Sequence, residues 1–344
     1  MHDLKSFTLT GFPLQCGVVM AELSLAYETW GTLSADGDNA ILLLHGYTST
    51  SHAAGPGGWW EGLIGPGRAI DTDKYFVICA NMPGSSFGST GPKSINPTTG
   101  RPYGPDFPDI ATEDMVEAQR RLIDDLGVGQ LAAVIGYSYG GQLTFLWGVT
   151  HPDRMRALVP VASGIRARGD EGLVRALADR FAAAVPGWNG GDHYDADGGP
   201  GAGVFEAMVE QRLETLRGYG MADELLNETG DRDAATRRLT AIAEDWARQF
   251  DPNSLIVLRC AAVRLDAARH AARMTAPLLY VLATTDKLYP PDLGPSTVAE
   301  LCAHGVDATY CELNSPYGHR APAADWRKWA GVLVDFLNRH AASG

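Results

Sequence analysis

A serine between two glycines, placed between a strand-like run and a helix-like run, constrains the fold of this chain more than any other feature. The apolar run 131–135 predicts a buried strand, and residues 142–149 predict the start of a helix. Between them, residues 136–140 read GYSYG, a G-x-S-x-G pattern. Such a tight turn requires small flanking residues and a strained serine backbone, and it holds the serine at a helix N-terminus that favours negative charge. The pattern therefore predicts that Ser138 is a nucleophile held out of the fold.

Short apolar runs on either side of this turn alternate with helical stretches. Residues 7–27 predict one or two edge strands, and further strands are predicted at 40–44, 75–79, 157–161, 277–283 and 308–313. Helical spacing is clear at 114–126 and again at 326–339, close to the end of the chain. This alternation predicts an α/β fold with a mostly parallel central sheet and helices on both faces.

Composition changes after the strand at 157–161. Residues 164–250 contain helical stretches at 173–184, 205–216 and 234–250, a loop rich in Gly and Asp, and no convincing strand. We therefore predict a helical lid domain over residues 165–250. It covers the carboxyl edge of a core domain formed by residues 1–164 and 251–344.

Two further residues complete a candidate catalytic set with Ser138. A serine hydroxyl is a weak nucleophile at neutral pH, so it needs a base, and the base needs a carboxylate to orient it. In the α/β-hydrolase arrangement the chain order is Ser, acid, His, each at the carboxyl end of a strand. Asp286 and His319 follow the last two predicted strands in that order. Taken singly, Asp286 could cap a helix and His319 could be a surface loop residue, but together they predict a Ser138-His319-Asp286 triad.

The neighbourhood of the triad predicts an oxyanion hole made of backbone N–H groups. The donors are those of Tyr139, after the nucleophile, and of Tyr47, after His45-Gly46. We expect His45 to brace the oxyanion loop, and His52 is a candidate to line the substrate pocket.

Charge and composition exclude several other functions. The net charge of −13 argues against nucleic acid or an anionic membrane as a partner. The five cysteines include no C-x-x-C pair, and the N-terminus has no apolar signal core, so we expect reduced thiols and a cytoplasmic location. The acidic loop around His193 (Asp192, Asp195 and Asp197) lacks metal-ligand spacing, so we predict a solvated loop and no metal site.

Longer stretches resemble the homoserine O-acetyltransferase family of the α/β-hydrolase superfamily. Beside GYSYGG, they are GPGRAIDTDKYFVICAN (65–81), GSTGPKSINPTTGRPYGPDFP (88–108), WNGGD (188–192), RQFDPNSL (248–255) and SPYGH (315–319). The resemblance implies a Ser-His-Asp triad, an acyl-enzyme intermediate, a helical lid that shapes a tunnel, and a homodimer formed through lid helices.

The same comparison identifies departures from the family at the acceptor site. The family usually has an aspartate directly after the catalytic histidine, where it is expected to meet the homoserine ammonium, whereas this chain has Arg320. The lid arginine expected to hold the homoserine carboxylate has two candidates, Arg212 and Arg217. A cation at position 320 would repel an amine, so the departures weaken the homoserine assignment and leave the triad intact.

The sequence leaves three hypotheses for function. The first is a serine esterase that hydrolyses a short-chain, acetyl-like ester with water and has no cofactor. The alternative is an O-acetyltransferase that moves acetyl from acetyl-CoA, as co-substrate, to a small alcohol such as homoserine. Both pass through the same acyl-enzyme. The third is a non-catalytic binding protein, which the intact triad argues against.

Overall fold

The predicted sheet is present in the computed structural model, which describes residues 3–195 and 199–341. The strands are β1 (Lys5–Pro13), β2 (Val19–Trp30), β3 (Ala40–Leu44), β4 (Ile64–Gly65), β5 (Ile70–Asp71), β6 (Phe76–Ala80), β7 (Leu131–Tyr137), β8 (Leu158–Val161), β9 (Leu278–Ala283) and β10 (Ala308–Leu313). Strands β4 and β5 pair only with each other, and the other eight form one sheet in the order β1-β2-β6-β3-β7-β8-β9-β10.

The sheet is parallel except at one strand. Strand β2 runs antiparallel to both of its neighbours, and β6, β3, β7, β8, β9 and β10 are parallel to one another. A parallel sheet is covered on both faces, which explains why β3 is wholly apolar. Its side chains alternate, with Leu42 in the apolar cluster of Leu143 and Ile41 in the opposite cluster with Leu333. This is the predicted α/β-hydrolase fold.

Helices cover both faces of the sheet and connect its strands. They are α1 (Thr112–Asp125), α2 (Tyr139–Thr150), α3 (Glu171–Ala184), α4 (Val204–Gly218), α5 (Met221–Thr229), α6 (Arg232–Ala247), α7 (Pro252–Ala262), α8 (Leu293–Ala303), α9 (Ala321–Ala324) and α10 (Arg327–His340). Short 3-10 helices are found at Gly104–Asp106, Pro152–Arg154, Asn189–Gly191, Ala267–Arg273 and Gly318–Arg320. Helices α5, α7, α8 and α9 have no counterpart among the helical stretches predicted from the sequence.

Helices α3 to α7 all lie between β8 and β9 in the chain. Part of this segment has its own apolar core, a cluster in which Leu216 of α4, Leu225 of α5 and Leu239 of α6 are buried together. The independent packing is what a lid domain requires, although its exact limits at 165 and 250 remain a prediction. Among the described residues, no helix is long and apolar enough to cross a membrane.

Candidate active site

The turn between β7 and α2 is the strained elbow that the sequence predicts. Ser138 has φ 57° and ψ −115°, a backbone conformation that few residues other than glycine adopt. Its N–H donates to the Val161 carbonyl at 2.9 Å, and its own carbonyl accepts from the Ser163 hydroxyl at 2.7 Å. The last residue of neighbouring strand β8 and a serine two residues beyond it therefore hold both backbone groups of the strained residue. Strain of this kind costs about 1–3 kcal/mol and is found mainly at functional sites.

The flanking glycines are required because the backbone comes too close for a side chain. A Cβ on Gly140 would lie 1.9 Å from the Leu44 carbonyl oxygen, and one on Gly136 would lie 2.1 Å from the Gly140 carbonyl oxygen. Real Cβ atoms are not found at such distances from backbone atoms. The prediction that larger residues would collide at these positions is confirmed.

The three residues predicted to act together form one hydrogen-bonded chain. The Ser138 hydroxyl lies 2.9 Å from His319 Nε2, and His319 Nδ1 lies 2.8 Å from Asp286 Oδ2. Since an ionised carboxylate only accepts hydrogen bonds, Nδ1 carries the proton and Nε2 has a lone pair for the serine hydroxyl. The other Asp286 oxygen accepts from the backbone amides of Leu288 and Tyr289, which fixes the carboxylate.

The ends of two neighbouring strands bring these residues to Ser138. Asp286 lies three residues after β9, and His319 lies in the 3-10 helix after β10. Because β9 and β10 are parallel, their carboxyl ends meet at the sheet edge that carries the elbow. The Tyr137 hydroxyl donates to the His319 carbonyl at 2.6 Å, so the elbow and the histidine loop are joined directly.

His45 fixes the peptide that carries the predicted Tyr47 donor. Its Nε2 accepts from the Met82 backbone N–H at 3.2 Å, so Nδ1 carries the proton and donates to the Gly46 carbonyl at 2.9 Å. That carbonyl and the Tyr47 N–H belong to one planar peptide and point in opposite directions. Full burial lowers the pKa of His45 to about 4, which keeps the ring neutral and this pattern intact at neutral pH.

The side chains of Tyr47 and Tyr139 form a stacked pair beside Ser138. Their ring centroids are 6.1 Å apart and the planes differ by 6°. The Tyr47 hydroxyl donates to the Leu255 carbonyl, and the Tyr139 hydroxyl donates to the Leu258 carbonyl, both on α7. Burial raises the pKa of Tyr47 to about 12. Helix α7 therefore sets the position of both residues proposed to supply the oxyanion hole.

Two cavities meet at Ser138. The larger has a volume of about 540 Å³ and extends between the lid and the core, past Leu173, Gln211, Trp246 and Arg259. The smaller has a volume of about 90 Å³ and is lined by Trp59, Trp60, Arg212, His319 and Arg320, among others. Both are also lined by Tyr47, Thr48 and Tyr219. Ser138 therefore lies between a large cavity and a small one.

The small cavity distinguishes between the two candidate lid arginines. Arg212 lines it and donates to the Thr48 hydroxyl at 2.6 Å, with its guanidinium 4.9 Å from the centre of the Trp246 ring. Burial lowers the pKa of Arg212 to about 10, so it remains a cation at neutral pH. Arg217 is exposed, one turn and a half further along α4, and lines neither cavity at Ser138 as described.

Arg320 lines the small cavity and forms an ion pair with a lid carboxylate. Its Nε and Nη2 lie 2.5 and 3.3 Å from the two carboxylate oxygens of Glu224 on α5. The residue that replaces the family's aspartate is therefore partnered by a lid carboxylate, which sequence reasoning did not identify.

The prediction that His52 lines the pocket is wrong. Its Nδ1 lies 2.9 Å from the buried Glu28 carboxylate, and its Nε2 lies 3.1 Å from the Pro56 carbonyl. Neither cavity at Ser138, as described, is lined by His52. A carboxylate on neighbouring strand β2 holds the ring away from the site.

The prediction of a solvated loop around His193 is also wrong. His193 is only 4% exposed, because its ring stacks on Trp188 and lies against Tyr194. Its Nε2 is 3.9 Å from a buried carboxylate oxygen of Asp251. Asp197, part of the same acidic loop, lies outside the described residues.

Sequence reasoning missed three site residues, Tyr219, Arg259 and Tyr289. The Tyr219 and Tyr289 rings lie 4.9 and 5.9 Å from the His319 ring, and the Arg259 guanidinium lies 4.9 Å from the Tyr47 ring centre. Arg259 and Tyr219 lie on or beside lid and post-lid helices, where helical spacing gives no indication of which face meets the core. Tyr289 follows Asp286 closely, so proximity in the chain was an available signal.

The chain is similar to known proteins over almost its whole length. A sequence profile described as the alpha/beta hydrolase fold matches residues 39–321. A homoserine O-succinyltransferase of Methylibium petroleiphilum is 37% identical, over 96% of this chain and 92% of that protein. A homoserine O-acetyltransferase of Carboxydothermus hydrogenoformans is 34% identical, over 97% of this chain and 95% of that protein.

Among solved structures, the crystal structure of esterase E22 superposes with a TM-score of 0.86. It is 26% identical in sequence, and the match covers 98% of this chain and 100% of that one. The crystal structure of a homoserine O-acetyltransferase from Bacillus anthracis also superposes with a TM-score of 0.86, at 26% identity over 99% of each chain. The chain is therefore similar to transferases by sequence, and equally similar to an esterase and to a transferase by structure.

Proposed function

Because this chain belongs to the homoserine O-acyltransferase family of the α/β-hydrolase superfamily, we propose that it is an O-acyltransferase acting through an ester on Ser138. The donor is an acyl thioester such as acetyl-CoA, used as co-substrate, and the acceptor is a small alcohol of the homoserine kind. The observation that carries this proposal is the hydrogen-bonded chain Ser138-His319-Asp286 at the junction of a long cavity and a small one.

In the first half-reaction, Ser138 Oγ attacks the thioester carbonyl carbon while its proton moves to His319 Nε2. Asp286 stabilises the imidazolium that forms. The developing oxyanion is held by the backbone N–H groups of Tyr47 and Tyr139, which cost no reorganisation because His45 and helix α2 already fix them. Collapse of the intermediate breaks the C–S bond, and the thiol leaves with the proton from His319.

In the second half-reaction, the acceptor hydroxyl takes the place of the thiol. His319 removes its proton, the acceptor oxygen forms the new ester bond, and the bond from Ser138 Oγ to the acyl carbon breaks. The proton returns to Ser138. Transfer prevails over hydrolysis when the alcohol occupies the small cavity and excludes water from the acyl-enzyme.

Arg212 is the group that we assign to an acceptor carboxylate. It is half-buried and lines the small cavity, it remains charged, and its buried Nε has no hydrogen-bond partner among the described residues. A guanidinium with free donors matches a carboxylate in charge and in geometry.

The test is transfer from acetyl-CoA to alcohols that carry a carboxylate, with Arg212→Gln and Arg217→Gln as a matched pair. Removing one partner of a buried charge pair costs roughly 2–5 kcal/mol, so kcat/KM for the alcohol should fall by about 30-fold or more in Arg212→Gln. Arg217→Gln should remain close to wild type, because Arg217 is exposed and away from both cavities. Equal losses in both variants would remove Arg212 from the acceptor site.

Ester hydrolysis is the second candidate, and one observation favours it: Arg320 stands where the family has an acceptor-binding acid. The structural match to esterase E22 favours neither reading, because the match to a Bacillus anthracis homoserine O-acetyltransferase has the same TM-score. A hydrolase should turn over p-nitrophenyl acetate continuously without an added alcohol. A transferase should give a burst of p-nitrophenol followed by slow turnover that an alcohol accelerates.

A further inference from the structure

The charged side chains around the small cavity limit which alcohols can bind there as acyl acceptors. Homoserine is a zwitterion, so a site that binds it must offer a cation to its carboxylate and an anion or strong acceptors to its ammonium. Burying an ammonium without such a partner is costly. The charged groups at Ser138 therefore indicate which acceptor the site can hold.

Carboxylates are almost absent from the two cavities. Among the residues that the structure describes, the one acid lining either cavity at Ser138 is Glu214. Its side chain is 63% exposed and is paired with Arg180, away from the small cavity. Asp286, the nearest buried acid, has one oxygen on His319 and the other on two backbone amides. Neither acid is placed to receive an ammonium in the small cavity.

Glu224 does not take the place of the missing acid. Both of its oxygens are engaged by Arg320, and it lines a separate cavity of about 570 Å³ beside Trp326. Arg320 lines this outer cavity as well as the small one, and the small cavity as described is not lined by Glu224. An ammonium in the small cavity would therefore meet the cation of the pair.

The two arginines that line the small cavity are thus Arg212 and Arg320, and Arg320 is already paired with Glu224. Arg212 has a buried Nε donor without a described partner and no carboxylate within ion-pair distance among the described residues. A negative charge on the acceptor satisfies Arg212, and the absence of a positive charge avoids repulsion by Arg320.

We propose that the acceptor is a small hydroxy acid without an amino group, of the kind represented by 4-hydroxybutanoate, which is homoserine without its amine. This inference rests on the proposed acyl transfer. The acceptor carboxylate lies on Arg212 and its hydroxyl oxygen attacks the Ser138 acyl ester. The new ester bond forms as the Ser138 ester bond breaks, and the hydroxyl proton passes through His319 to Ser138. No further reactant is needed.

The experiment compares 4-hydroxybutanoate with L-homoserine on the wild-type protein in two assays. In the first, each alcohol accepts acetyl from acetyl-CoA, and we expect kcat/KM to be at least roughly tenfold higher for the hydroxy acid, since like charges brought together disfavour binding. In the second, each alcohol is titrated into the turnover of p-nitrophenyl acetate, and the concentration that gives half of the change in rate is measured, whether the alcohol accelerates turnover as an acceptor or inhibits it by occupying the site. This concentration should be lower for the hydroxy acid by a similar factor. The second assay reports acceptor binding even if water is the only acyl acceptor.

A matched pair of variants tests whether Arg320 causes the preference. Glu224→Gln with Arg320→Asp places an acid in the family's position without a second acid beside it, and should shift the preference toward homoserine. Glu224→Gln with Arg320→Gln removes both charges and should reduce the preference without reversing it. The p-nitrophenol burst of each variant counts its folded active sites.

The outcomes separate the two proposals. Tighter binding or faster transfer with homoserine in the wild type would overturn the inference, and would place the ammonium against the aromatic walls. A binding preference for the hydroxy acid without transfer to either alcohol would support the inferred charge selectivity and overturn acyl transfer itself.

Discussion

Single residues in this protein act by fixing the orientation of backbone groups as well as by reacting. His45 is not a member of the triad, yet its Nδ1–H holds the Gly46 carbonyl and so aims the Tyr47 N–H. Tyr137 similarly holds the His319 carbonyl through its hydroxyl. Because oxyanion stabilisation depends on donors that are already in place, a positioning residue of this kind contributes to the rate without touching the substrate.

The first prediction concerns the neutral form of His45. Its pKa is about 4 in the folded protein, and an unfolded histidine has a pKa of about 6.5. As pH falls from about 6.5 to 4, the unfolded chain binds a proton that the native state does not, so His45 lowers the free energy of unfolding by up to about 3 kcal/mol. Above this window it has no such effect.

His45→Gln should therefore flatten the acid side of the stability profile, measured as urea midpoints across this pH range. His304→Gln, at an exposed position between α8 and β10, is the control and should keep the wild-type slope. Identical slopes in all three proteins would mean that His45 is not held neutral in the fold.

Different helices and strands position the different residues of the site. Helix α2 and strand β8 hold the nucleophile, the ends of β9 and β10 supply the acid and the base, and α7 holds the two tyrosines. The lid helices supply Arg212 and Glu224. In the proposed mechanism the reacting groups are therefore fixed at the sheet edge, whereas acceptor selectivity depends on how the lid helices pack against that edge.

The second prediction tests the close packing of the elbow. Gly140→Ala would place a Cβ 1.9 Å from the Leu44 carbonyl oxygen, so we expect the free energy of unfolding to fall by about 3 kcal/mol or more, together with loss of activity. Gly331→Ala is the control, since its Cβ meets nothing within 4 Å and α10 should gain up to about 1 kcal/mol from alanine's helix propensity. Equal urea midpoints for Gly140→Ala and wild type would contradict the tight turn.

Across the whole molecule, the parts that could be predicted from sequence are those fixed by local pattern. Wholly apolar runs predicted the parallel strands, and the rule that parallel strands end at one edge was enough to bring Asp286 and His319 to Ser138. Asp286 and His319 are 33 residues apart in the chain, but each is adjacent to a strand. The position of a residue just after a strand therefore predicted which distant residues it lies beside.

The features of the site that could not be predicted depend on how the lid packs, and no local sequence pattern determines that packing. Glu224 and Arg320 are 96 residues apart, and Glu224 lies on a nine-residue helix whose orientation is set only by its neighbours. His193 was misjudged for the same reason, because its Gly- and Asp-rich surroundings indicate a loop while Trp188 buries the ring. Dimer formation through the lid and the cytoplasmic location stay predictions.

The most direct test of acyl transfer through Ser138 is the intact mass of the protein after mixing with acetyl-CoA and no alcohol. The wild type should gain one acetyl group on the peptide that contains Ser138, and adding the alcohol should remove it faster than water does, with the new ester as product. Ser138→Ala should gain nothing at that site. The account would be contradicted by an adduct that persists in Ser138→Ala, or by a wild-type adduct whose loss no alcohol accelerates.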